Sequence, residues 1–242
     1  MKNLLILSFC FTIVKLHAQA NYQYIDENTI QLILSAKKID NTRIINEVLK
    51  KPKSEKLKNL SIAGNISKLP QEIYALNWVE VIEITVDNPL ELDRDFSKFE
   101  SLKNLAVFSG LSSIDEDIIL LNIQSVWFPN SGLSAFPKAI CSWENLEYID
   151  IQNGNFETIP KEISNLEHLK HLNLSNNGIE KLPEEIGGLK SLQSLGLGSN
   201  PLQTLPMSIC KLVSLSELYL TLTPKLILSK DLENCLKCEI FK

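Results

Sequence analysis

Histidine is scarce in this chain of 242 residues, which contains only His17, His168 and His171. So few histidines leave little material for a catalytic triad or a zinc site. Glycine-rich phosphate-binding loops and an HExxH motif are also missing. A triad would need His168 or His171. Asp150 and Asn173 are expected near His171, but no GxSxG motif accompanies it. We therefore expect a non-enzymatic protein that binds no metal and no cofactor.

Positive charge is in deficit, and long apolar runs are almost absent. The chain has 24 Lys and Arg against 29 Asp and Glu, a formal net charge of −5. Nucleic-acid binding requires clustered positive charge, so we expect no nucleic-acid partner. The single apolar run, residues 4–14, is too short to span a bilayer. We expect no membrane insertion after this run is removed.

The first twenty residues have the three-part layout of a secretory signal peptide. Lys2 supplies the positive charge, LLILSFCFTIV supplies the apolar region, and Ala18-Gln19-Ala20 supplies small residues for cleavage. We expect cleavage after Ala20, or after Ala18 as the second choice. The protein would then be secreted, periplasmic or on the cell surface. If residues 1–20 are retained, an intracellular signalling scaffold is the alternative.

A leucine pattern repeats through residues 57–242 with the consensus LxxLxLxxNxLxxLPxxIxxL. The copy at 169–189 reads LKHLNLSNNGIEKLPEEIGGL. Within LxLx, apolar residues alternate with exposed ones, which is the period of a strand. One unit cannot bury its leucines alone, so the units must stack. Eight units begin at 57, 79, 102, 123, 146, 169, 192 and 215, and the last is a degenerate C-terminal cap.

This pattern resembles the leucine-rich repeat family, in the LPxxIxxL variant that includes bacterial secreted proteins. The resemblance covers about three quarters of the chain. It implies an α/β solenoid: a curved horseshoe with a parallel β-sheet on the concave face and short helical or 3₁₀ turns outside. It also implies that binding occurs on the concave face and that partners are most often proteins. We therefore expect an exported module for protein recognition.

Some units depart from the consensus, which predicts local irregularity. Asp93 and Asp115 replace the proline in the units at 79 and 102, and the unit at 102–122 is short. We expect this short unit to bend or twist the arc. The ninth-position asparagine, which can bond to turn backbone, occurs at Asn65, Asn177 and Asn200.

Both ends of a solenoid need caps over their apolar surface. Residues 26–51 have helical apolar spacing, through Ile30, Leu32 and Ile33 and then through Ile44, Ile45, Val48 and Leu49. We expect residues 21–56 to form a helical N-terminal cap.

The C-terminal end contains a CxxC sequence, Cys235 to Cys238. The repeat register places both cysteines at core positions, Cys238 at the first leucine of an absent ninth unit. We expect a disulfide in the core or cap, and Cys210 with Cys235 or Cys238 is the cross-unit pair to test. Redox activity is the alternative, and insulin reduction abolished by Cys235→Ser would support it.

The register predicts that third, fifth and seventh positions of each unit project from the concave face. Aromatic residues cluster in the middle, at Phe108, Trp127 and Tyr148, and polar residues flank them at Asp150, Gln152, His171 and Asn173. Aromatics rimmed by polar groups are typical of protein-binding hot spots. Alternatively, the rings only pack on one another, or they stack on sugars in a carbohydrate-binding adhesion module.

Overall fold

The computed structural model describes residues 22–24, 29–34, 58–108 and 110–242, so residues 1–20 lie outside the described part. Thirteen strands are defined there: β1 Tyr22–Tyr24, β2 Thr29–Leu34, β3 Asn59–Gly64, β4 Val81–Val86, β5 Leu90–Leu92, β6 Asn104–Val107, β7 Leu111–Ile114, β8 Ser125–Trp127, β9 Tyr148–Asp150, β10 His171–Asn173, β11 Ser194–Gly196, β12 Glu217–Tyr219 and β13 Glu239–Phe241. Eleven of them form one sheet in the order β1-β2-β3-β4-β6-β8-β9-β10-β11-β12-β13. The neighbours from β2 to β13 run parallel.

Equivalent positions of successive units lie in rows across this sheet. The third positions pair in one unbroken row: Asn59, Val81, Asn104, Ser125, Tyr148, His171, Ser194 and Glu217. The leucine or isoleucine between the outward positions is buried, as at Leu172 and Leu195. The solenoid architecture predicted from the repeats is therefore confirmed.

Short 3₁₀ helices return the chain to the next strand. They span Gln71–Ala75, Arg94–Lys98, Lys138–Ser142, Lys161–Asn165, Glu184–Gly188 and Met207–Lys211. Five follow a proline, whose fixed φ favours the start of a helical turn. Asp93 replaces this proline before Arg94–Lys98 and accepts a hydrogen bond from the Asp95 backbone N–H at 3.1 Å. A carboxylate cap thus substitutes for proline in an irregular unit.

The units at 79 and 102 differ from the others in their outer part. There β5 and β7 form a separate parallel two-stranded sheet, with a register shift between Leu90 and Glu91. The irregularity predicted for these units therefore takes the form of a second small sheet. The bend of the arc at 102–122 stays a prediction.

Two asparagines tie neighbouring turns together inside the protein. Asn200 is 2% exposed, and its Nδ2 donates to the carbonyl oxygens of Leu174 at 3.0 Å and Leu197 at 2.9 Å. Its Oδ1 accepts from the backbone N–H groups of Asn177 at 3.2 Å and Ile179 at 3.1 Å. Asn177 donates in the same way to Ile151 and Leu174. The predicted role of these two side chains is confirmed.

Asn65 does not share this role, although it occupies the same position of its unit. It is exposed, and its Oδ1 accepts a hydrogen bond from the side chain of Asn88. The prediction that the ninth-position asparagine bonds to turn backbone is therefore not met by Asn65 among the described residues.

Two strands occupy the part of the predicted helical N-terminal cap that the structure describes. Residues 22–24 and 29–34 are strands, and β1 runs antiparallel to β2. All six residues of β2 pair in parallel with β3, and Leu32 is fully buried. The apolar residues at 30, 32 and 34 suit a strand as well as a helix. Hydrogen bonding to the edge of the sheet then favours the strand. Residue 21 and residues 25–28 and 35–56 of the predicted cap lie outside the described part, so the helical cap stays a prediction there.

The C-terminal cap contains α1, Lys230–Cys235, and then β13. A disulfide joins Cys210 to Cys235, while Cys238 is a half-buried free thiol. We expected no ninth unit, yet β13 adds a strand in which Glu239 pairs with Glu217. Cys238 therefore takes the second position of that strand's unit rather than the first. In the described part of the chain, no helix has both the length and the apolarity to cross a bilayer.

Leu222 should destabilise the fold, because it occupies a turn that demands positive φ. The corresponding residues are Asn130, Asn153, Asn176 and Ser199, with φ between 56° and 62°, and Leu222 has φ 60°. A leucine is more strained at positive φ than an asparagine or a glycine. We predict that Leu222→Asn raises the free energy of unfolding by about 1 kcal/mol in urea denaturation.

A control separates backbone strain from surface apolarity. Ile227 is 76% exposed, like Leu222 at 75%, but is not a positive-φ residue. Ile227→Asn should leave the unfolding free energy nearly unchanged. An equal gain from both substitutions would contradict the strain explanation.

Candidate functional site on the concave face

The predicted aromatic cluster lies on the concave face as two pairs of rings. Phe108 and Trp127 are half-buried and pack edge to face, with ring centroids 5.0 Å apart. Tyr148 is 37% exposed, and its ring centroid lies 5.9 Å from that of His171. Part of the Phe108 and Trp127 surface is thus used in their mutual packing. The remainder of these rings and Tyr148 stay accessible.

Asp150 lies beneath this surface rather than at its rim. The side chain is only 5% exposed, so the prediction of an exposed fifth position is wrong for this residue. Its Oδ2 accepts hydrogen bonds from Asn173 Nδ2 at 3.0 Å, Gln152 Nε2 at 3.3 Å and Tyr148 Oη at 3.5 Å. Two residues predicted as separate rim groups, Gln152 and Asn173, and one member of the predicted aromatic cluster, Tyr148, therefore converge on one carboxylate.

The environment of Asp150 disfavours its charge. Burial raises the pKa of Asp150, while the hydrogen bond from Asn173 and the nearby backbone N–H of Gln152 act in the opposite direction. Its Oδ1 is shielded from solvent and has no well-aligned hydrogen bond. Among the described residues, no Lys or Arg forms an ion pair with this carboxylate. Burial also raises the pKa of Tyr148 to about 12, so its hydroxyl is a proton donor at neutral pH.

Gly196 helps to position Asn173. It is the register partner of Asn173 on β11, and a Cβ built there would lie 2.6 Å from Asn173 Oδ1. That oxygen also accepts the backbone N–H of Ser175 at 3.1 Å. A side chain at position 196 would therefore displace the amide that holds Asp150.

A second aromatic pair at the C-terminal end was not predicted. Tyr219 and Phe241 stack with centroids 4.5 Å apart and ring planes 9° apart. The Tyr219 hydroxyl donates to Glu217 Oε2 at 3.2 Å. The sequence did contain a signal, since Ile240 alternates with Glu239 and Phe241 as in the other strands. The part of the chain that the structure describes holds no cluster of His, Cys, Asp and Glu suited to a metal ion.

Comparisons with known proteins agree with this architecture. Residues 157–234 match a family profile described as a leucine-rich repeat region. No curated protein gives a match. The leucine-rich repeat domain of the type III effector XopL has a similar fold, with TM-score 0.62, 18% identity, and coverage of 85% of this chain and 89% of that domain.

Two further solved structures share the fold at low identity. An internalin from Listeria monocytogenes aligns with TM-score 0.50 and 14% identity over 83% of this chain and 68% of its own. The plant peptide hormone receptor RGFR1 in complex with RGF2 aligns with TM-score 0.60 and 19% identity over 93% of this chain and 36% of the receptor. These likenesses show that the chain has the leucine-rich repeat fold, and residues 157–234 carry the sequence profile of a leucine-rich repeat region.

Proposed function

We propose that this chain is an exported, non-enzymatic protein that recognises a protein partner through its concave face. The observation that carries the proposal is the set of accessible aromatic rings of Phe108, Trp127 and Tyr148 on one sheet. Aromatic side chains at the centre of an interface supply much of its binding energy. Trp127 and Tyr148 project from paired strands and Phe108 directly follows one, so little backbone entropy is lost when a partner binds.

Family and structural likeness support a protein as the ligand. Leucine-rich repeat proteins bind other proteins, and the similar plant receptor was solved in complex with RGF2. The fold does not name the partner, because solenoids of this kind host many ligands.

Two observations support export. Residues 1–20 have the composition of a signal peptide. The disulfide between Cys210 and Cys235 suits an oxidising compartment and disfavours the intracellular scaffold.

The test is a pull-down from neighbouring-cell surface extracts with protein expressed from its own N-terminus in an exporting host. The intact mass is measured first, and loss of residues 1–20 supports export. The wild type is then compared with a Phe108→Ala, Trp127→Ala, Tyr148→Ala variant of matched thermal stability. We expect one partner to be held by the wild type and bound at least 100-fold more weakly by the variant, since each hot-spot truncation costs about 2 kcal/mol.

The matched control removes exposed apolar side chains elsewhere. Leu121, Met207 and Val213 are 74%, 52% and 82% exposed, and none lies at an outward position of the sheet. Their triple-alanine variant should capture the partner as the wild type does. Equal capture by the concave-face variant would move the site to the outer face or the caps. Glycan-array binding lost on Trp127→Ala, without protein capture, would favour the carbohydrate-binding alternative.

A further inference from the structure

The charges that face outward from the repeat sheet are all negative. From β3 to β13, the charged residues at third and fifth positions are Glu83, Asp150, Glu217 and Glu239. These positions hold no Lys or Arg, although the chain has 24 of them. The face therefore presents unbalanced negative charge, which attracts cationic groups.

Lysines do occur nearby, but they are already paired. Lys58 and Lys103 both contact Glu80 at 2.7 Å, and Lys170 contacts Glu147 at 2.7 Å. These ion pairs occupy the second position of their units, one residue before the outward row. Within the described part of the chain, no Lys or Arg forms an ion pair with Glu83, Asp150, Glu217 or Glu239.

Asp150 is the carboxylate for which this imbalance matters most. It is 95% shielded, and all three of its side-chain hydrogen bonds come from neutral groups. A buried carboxylate is costly unless a cation or a full set of donors compensates it. Its Oδ1 lacks an aligned donor. A cation with several N–H donors would compensate this carboxylate.

The surroundings of Asp150 favour a planar cation. Trp127 is its register partner on β8, and Tyr148 lies two residues before it on the same face of β9. Two aromatic residues therefore neighbour Asp150, one on the adjacent strand and one on its own strand. A guanidinium stacks on aromatic faces and pairs with carboxylates through two N–H groups, whereas an ammonium is more strongly hydrated.

Two of the side chains that cover Asp150 are held to it only by long hydrogen bonds. The hydrogen bonds from Tyr148 and Gln152 measure 3.5 and 3.3 Å, at the long limit for such bonds. Tyr148 is exposed and Gln152 is half-buried, so both have room to move outward. The bond from Asn173, at 3.0 Å, is the shortest and is backed by the packing at Gly196.

We infer that the concave face binds an arginine side chain of the protein partner, with the guanidinium paired to Asp150 between Trp127 and Tyr148. The inference rests on the proposed function and specifies the chemistry of its partner. On binding, guanidinium N–H groups replace the hydrogen bonds from Tyr148 and Gln152, and Asn173 keeps its bond. The remaining outward carboxylates favour further basic residues around that arginine.

The test uses a phage-displayed library of random 12-residue peptides selected on the full chain. We expect enrichment of arginine in the peptides that bind. Replacing the enriched arginine with citrulline keeps its shape, removes its charge and should weaken binding at least tenfold. Asp150→Asn should weaken binding to the arginine peptide as much, and citrulline should cause no further loss on that variant. Glu157→Gln, which removes an exposed carboxylate away from the sheet, should have no effect.

The outcomes separate this inference from the proposed function. Peptides that lose binding on Trp127→Ala but carry no enriched arginine, or bind Asp150→Asn equally well, overturn the arginine site and leave concave-face recognition standing. Peptides indifferent to Trp127→Ala, or no selected peptide, count against both. Thermal unfolding of each variant shows whether a loss reflects misfolding. Asp150→Asn removes a poorly compensated buried charge and should keep the wild-type melting temperature or raise it.

Discussion

Asn200→Ala should lower the free energy of unfolding by about 4 kcal/mol, because it strands buried backbone groups in two neighbouring units. The N–H groups of Asn177 and Ile179 lose their acceptor, and the carbonyl of Leu197 loses its Asn200 donor. The site is 2% exposed, so water does not replace these bonds without local opening. Urea denaturation measures the loss, and amide hydrogen exchange should show it first at Asn177 and Ile179.

Asn145→Ala is the matched comparison. Asn145 is exposed and donates one side-chain hydrogen bond, to the Leu121 carbonyl at 2.6 Å. Its loss should cost less than about 1 kcal/mol, since water replaces the bond. Similar losses for the two variants would mean that burial does not decide the strength of the asparagine ladder.

Removing the Cys210–Cys235 disulfide should destabilise the C-terminal cap by about 3.5 kcal/mol, the chain-entropy value for a bridge of this span. The two cysteines are 25 residues apart and link the 3₁₀ helix Met207–Lys211 to α1. In a solenoid this loss falls mainly on the adjacent units, because each unit contacts only its neighbours. Cys210→Ser and Cys235→Ser should each lower the urea midpoint and abolish its sensitivity to dithiothreitol.

Cys238→Ser provides the control, because the thiol of Cys238 is free. Its midpoint should still fall on reduction by as much as that of the wild type. If Cys238→Ser abolished the response to dithiothreitol and Cys235→Ser did not, the bridge would join Cys210 to Cys238.

The alignment of equivalent positions across the sheet was predictable, because each repeat determines independently which of its side chains face outward. A shift of one residue in any unit would bury an outward side chain and expose a leucine, so the leucines at Leu172, Leu195 and Leu218 determine the register. The same logic located Phe108, Trp127 and Tyr148 on the concave face. The repeat register did not predict that the ring of Phe108 packs on that of Trp127, or that of Tyr148 near His171. Ring packing depends on side-chain rotamers, which periodicity does not specify.

The ends of the sheet and the burial of Asp150 were harder to predict. Residues 29–34 have apolar residues compatible with both helix and strand, and the exposed edge of β3 decides between them. β13 is only three residues long and lacks the leucines of the consensus. Asp150 is buried because Tyr148 and Gln152 of its own unit and Asn173 of the next unit converge on it, an arrangement of side chains that the spacing of the leucines does not specify.

The unbroken pairing from β2 to β13 has a consequence for the timing of recognition. A partner meets a surface whose backbone is already hydrogen-bonded, so no segment of the paired strands has to fold during the encounter. Association is then expected at about 10⁵–10⁷ M⁻¹s⁻¹, the ordinary range for preformed surfaces. Changes at Trp127 should shorten the lifetime of a complex, whereas changes at Glu83 or Glu217 should slow its formation, most clearly at low salt.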